Sequence, residues 1–75
     1  MNIDKLIQNY ENKINNLIDT KYNTFYIQPI KNKGFAISPD KYGVVFNGDL
    51  IAVARDLQEL ENIVNAIHFM LTVGV

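Results

Sequence analysis

The first pattern of apolar and polar positions along the chain has a helical period. Ile3, Leu6, Ile7, Tyr10, Ile14, Leu17 and Ile18 recur with the spacing of one apolar stripe on an α-helix. Asn2 stands where a cap is wanted, and Asp4 falls in the first turn, where a carboxylate meets the positive end of the helix dipole. Lys5, Gln8, Asn9, Glu11, Asn12, Asn15 and Asn16 fill the opposite face. Asparagine is a weak helix former, so this helix depends on burying its stripe. The pattern ends it at Asp19-Thr20-Lys21.

The period then falls to two. Thr24 to Ile30 is rich in aromatic and β-branched residues, with Phe25 and Ile27 on one side and Tyr26 and Gln28 on the other. Pro29 has no N–H to give to a ladder, which puts it at a sheet edge or beyond the strand. Lys31-Asn32-Lys33-Gly34 reads as a turn, Phe35-Ala36-Ile37 as a returning strand and Ser38-Pro39-Asp40-Lys41 as a second turn. The next signal is stronger. Asn47-Gly48 between two apolar runs predicts a β-hairpin closed by a two-residue turn. That register places Tyr42, Val44, Phe46, Ile51 and Val53 on one face, and Val45, Leu50, Ala52 and Ala54 on the other. Both faces are apolar, whereas an antiparallel sheet with one wet face alternates apolar and polar. The pattern therefore predicts cover on both faces, by one helix on each or by a dimer.

A second helix closes the chain. Asp56 with Glu59 three residues on has the form of a capping box. Leu57, Leu60, Ile63, Val64, Ile67 and Leu71 make its stripe, and Gly74 stands just past its expected end near Thr72. The order is α-β-β-β-β-α. The fold class is α+β: residues 1–75 form one domain, a four-stranded antiparallel meander flanked by an N-terminal and a C-terminal amphipathic helix.

Composition narrows what such a domain can do. The chain has 75 residues, no cysteine, and 7 basic against 8 acidic side chains. That excludes a disulfide framework, a thiolate metal site and a strongly basic nucleic-acid binder. No apolar run is long enough to span a membrane, and Met1-Asn2-Ile3-Asp4 does not open a signal peptide. The expected location is the cytoplasm. Asn, Ile, Lys and Tyr supply 30 of the 75 residues; all four have A/T-rich codons, which points to a low-GC bacterium or its phages and plasmids.

Candidate chemistry is sparse. His68 is the only histidine and sits between Ile67 and Phe69, without companion ligands nearby in sequence. Ser38, the only serine, precedes Pro39 in a turn and belongs to no nucleophile motif. Asp56, Glu59 and Glu61 cluster where a helix start favours carboxylates. The four glycines form no phosphate loop. The reading is of a non-enzyme without metal or cofactor.

Contacts are the alternative to chemistry. From Asn62 to Val75 no side chain is formally charged, and exposed apolar patches mark contact sites. Ala66, Phe69, Met70 and Val73 are the expected oligomer interface of a homodimer. Lys31, Lys33, Phe35, Asp40, Lys41 and Tyr42 form the expected partner-binding rim at the two turns. The functional expectation is a small protein-binding module, encoded by a phage or mobile element, that inhibits a host factor by covering its surface, in the manner of anti-CRISPR and other anti-defence proteins. One alternative is a nucleic-acid-binding accessory protein using Lys21, Lys31, Lys33 and Lys41 beside tyrosines. Against it, the second helix opens with Asp56 and Glu59, not with the basic residues of double-stranded-RNA-binding domains. Another alternative is a regulatory or structural subunit of a larger complex.

Overall fold

The structure is a computed structural model that describes residues 2–30 and 41–73. Helix α1 spans Ile3–Asn15, strand β1 Phe25–Ile30, β2 Lys41–Phe46, β3 Asp49–Ala54, and helix α2 Leu57–Val73. Asn2 caps α1, its side-chain oxygen accepting from the Lys5 N–H at 3.3 Å. The helix stops earlier than its stripe predicts. Asn15 and Asn16 hold it weakly, and Asp19 gathers the chain beyond into turns, accepting from the Lys21 N–H through its side chain and from the Tyr22 and Asn23 N–H groups through its carbonyl. Leu17 therefore lies past the helix end and is exposed.

The described strands form one antiparallel sheet in the order β1-β2-β3. This corrects the four-stranded meander: β1 pairs along its full length with Lys41–Phe46, from Phe25↔Phe46 to Ile30↔Lys41. The expected strand Phe35–Ile37 lies outside the described residues. A six-residue ladder with Tyr42, Val44 and Val45 offers β1 more than a three-residue strand would.

The Asn47-Gly48 turn forms as its sequence predicts, both residues taking positive φ, +51° and +84°. Beyond it the register departs from expectation. Val45 faces Leu50, but Val44 faces Ala52, so Ile51 is an extra residue, a β-bulge. One inserted residue exchanges the faces of everything after it. Ala52 and Ala54 thus join Tyr42, Val44 and Phe46, while Val53 joins Val45 and Leu50.

Both helices lie on one face of the sheet, which removes one helix on each face from the two ways of covering it that the pattern left open. Ile7 and Ile14 of α1, Leu60 and Val64 of α2, and Phe25, Ile27, Tyr42, Val44 and Ala54 of the sheet make one buried cluster. Small alanines on β3 leave room for α2 to approach. Tyr10 of α1 donates to Glu61 of α2, and Lys13 to Asn65. The contacts advance in the same direction on both helices, so the two run parallel. Asp56 accepts from the Glu59 N–H at 2.8 Å, as the capping box requires. Glu59 reaches back one residue further than expected, to the N–H and guanidinium of Arg55.

Candidate interaction site

The second face of the sheet is a grid of side chains with no described element over it. Its first row is Tyr26–Val45–Leu50 and its second Gln28–Gly43–Val53, with Ile30 and Lys41 paired at the far end. Val45 is buried yet stands apart from the core cluster, between Tyr26 and Leu50 in its row. Gly43 lets the grid close. A β-carbon there would stand 2.9 Å from Leu50 Cδ1 and 3.5 Å from Ile30 Cδ1. Leu50 of β3 and Ile30 of β1 thus both reach toward Gly43 of β2 from either side.

Both edge strands of this sheet carry features that disfavour added strands. On β1 two of the outward groups are taken by α1: the Ile27 N–H donates to Glu11 Oε2 at 2.9 Å, and the Phe25 carbonyl accepts from Asn15 Nδ2 at 3.2 Å. Pro29, next in that alternation, has no N–H. On β3 the bulge at Ile51 interrupts the ladder. Both are devices that keep an edge from adding strands. The sequence pattern assigns Glu11 and Asn15 to the solvated face of α1. Their spacing from buried Ile7, four residues and then four more, is the signal that places them beside the stripe.

A second apolar patch is the outer side of α2. Ala66, Phe69, Met70 and Val73 are all exposed there, with half-buried Ile67, His68 and Leu71 beneath. The expected rim is divided differently. Lys31, Lys33, Phe35 and Asp40 lie outside the described residues. Lys41 is exposed at the Ile30 end of the second face of the sheet. Tyr42 is corrected from rim to core: it faces Ala54 on the helix-covered side and is buried.

Charge and proton chemistry are modest. Lys21 lies over the Tyr22 ring, 5.5 Å from its centroid, at the hairpin-turn end of the sheet, where Asn47 bonds Thr24 and Asn23. Lys41 is at the other end, about 17 Å away along the strands. These two lysines form no single stripe. Burial, together with the charge of Glu61 and its hydrogen bond, raises the Tyr10 phenol above its ordinary value of 10.0. Among the described residues no group of three His, Asp or Glu side chains could hold a metal ion. Nor is any described helix long and apolar enough to cross a membrane.

The chain matches no protein-family model, no curated protein and no solved structure.

Proposed function

We propose that this chain is a small non-catalytic module that works by protein contact, self-association included. The observation that carries the reading is the apolar face of the sheet that no described element covers, with Tyr26, Ile30, Leu50 and Val53 exposed on so small a domain. The α2 patch of Phe69, Met70 and Val73 supplies a second contact surface on the helix layer. Two such surfaces suit a protein that holds its own copy with one and covers a partner with the other. Blocking a host factor is a task that needs contact and no chemistry. The A/T-rich residue usage fits a phage or mobile element as the source, and an anti-defence inhibitor, anti-CRISPR included, as the kind of job.

Photo-crosslinking in the native cell tests the contact reading. A photoreactive phenylalanine at position 50 and another at position 69 are expected to give discrete cross-linked species, to this chain or to another protein. Absence of a discrete product from both positions overturns it.

A further inference from the structure

We infer that the Asn47–Gly48 linkage is a site of spontaneous covalent modification, closed while the hairpin holds and open each time the turn lifts off the start of β1. This chemistry is independent of the contact reading above.

Of the asparagines in the chain, only Asn47 is followed by glycine. A backbone amide nitrogen can attack the side-chain carbonyl of an asparagine that precedes it, and a side chain on the attacking residue hinders the approach. Gly48 has none. It lies exposed in the turn, where even an added β-carbon would meet nothing within 4 Å. Hydroxide removes the Gly48 N–H proton, and the nitrogen forms a bond to Asn47 Cγ. The Cγ–Nδ2 bond breaks, and Nδ2 leaves as ammonia with a proton taken from water. One water molecule then opens the five-membered imide. Opening at Cγ gives aspartate; opening at the main-chain carbonyl carbon gives isoaspartate, whose backbone runs through the side chain. The sum is an amide and water converted to an acid and ammonia, with no oxidant or reductant.

The folded turn withholds Asn47 from this step. Its Oδ1 accepts from the Thr24 N–H at 2.9 Å, and its Nδ2 donates to Asn23 Oδ1 at 3.1 Å. Its own N–H donates to the Thr24 carbonyl at 2.9 Å. Ring closure needs the side chain to leave its staggered position and swing Cγ onto the Gly48 nitrogen. A carboxamide pinned at both ends does not make that turn. Both products also damage the seat they left. Aspartate has no Nδ2 to give to Asn23. Isoaspartate adds a carbon to the backbone of a two-residue turn whose flanks pair as Phe46↔Asp49, and the turn that fits the twist of β2 and β3 is lost. One opening of the hairpin can thus become permanent.

Peptide mapping by mass spectrometry, with chromatographic separation of aspartate from isoaspartate, follows the reaction in mildly alkaline buffer. In urea that unfolds the chain, Asn47 is expected to react ahead of every other asparagine. In native buffer it is expected to react at least about tenfold more slowly, since two side-chain hydrogen bonds must open first. Asn23→Ala removes one of them. It should speed the native reaction roughly fivefold and leave the rate in urea unchanged. The wild type supplies a readout that needs no variant. Across low urea concentrations the Asn47 rate should rise in step with hydrogen exchange at the Thr24 N–H, because one opening releases both.

Another asparagine reacting ahead of Asn47 in urea overturns the inference. So does a native rate equal to the rate in urea, or a native rate in Asn23→Ala equal to that of the wild type. Thr24 exchange that climbs with urea while the Asn47 rate stays flat overturns it as well.

Discussion

At the scale of single residues, the hairpin turn shows how much of the fold depends on two positions. Gly48 takes φ of +84°, and a β-carbon there would meet nothing within 4 Å. The cost of Gly48→Ala is therefore backbone strain alone. About 1 kcal/mol of lost stability is expected in urea unfolding. Asn47→Ala should cost more, about 2 kcal/mol, because the Thr24 N–H and the Asn23 side chain both lose a partner. Tyr10 offers a second residue-level expectation. Its folded phenol keeps a proton to higher pH than the unfolded one. Above the ordinary value of 10.0 the folded state thus binds more protons, and stability falls as pH rises through that value. Alkaline unfolding of Tyr10→Phe, compared with the wild type, should show a shallower loss in that range. The turn was legible in the sequence because Asn-Gly has a local mechanism. The elevated phenol was not, because it arises from Glu61, which only folding brings near.

Elements reveal where pattern reading succeeds and where it stops. Both helical stripes and the Asp56–Glu59 cap are written in local spacing, so they could be read directly. The faces of β3 could not. A bulge inserts one residue, and from Ile51 onward every assignment made by alternation is exchanged. The partner of β1 was hidden too, since Phe35–Ile37 has the composition of a strand, and composition carries no pairing information. The clamp of α1 on β1 escaped for a third reason: Glu11 and Asn15 look like ordinary polar residues of a solvated face until β1 lies beside them. Glu11→Ala is expected to lower stability by about 1–3 kcal/mol, because the half-buried Ile27 N–H loses its acceptor. The same variant should form thioflavin-positive aggregates sooner than the wild type, its edge now free to add strands.

Over the whole molecule, the central question is which apolar side chains hold the domain together and which face outward. A chain of this size buries only about 60 % of its unfolded surface, so little stability is in reserve. Leu60 is fully buried and Phe69 is 63 % exposed, on the same helix. Leu60→Asp should abolish cooperative unfolding, because an unpaired charge is not tolerated in the core. Phe69→Asp should keep the wild-type circular dichroism spectrum. The apolar character of the α2 end was plain in the sequence. That one face of the sheet lies free of both helices was not, since it follows from both choosing the same side. The hold of α1 on β1 also gives the molecule a point of failure. Each opening of the first helix at Glu11 releases the Ile27 amide, so hydrogen exchange at that one amide is expected to count how often the molecule turns briefly adhesive.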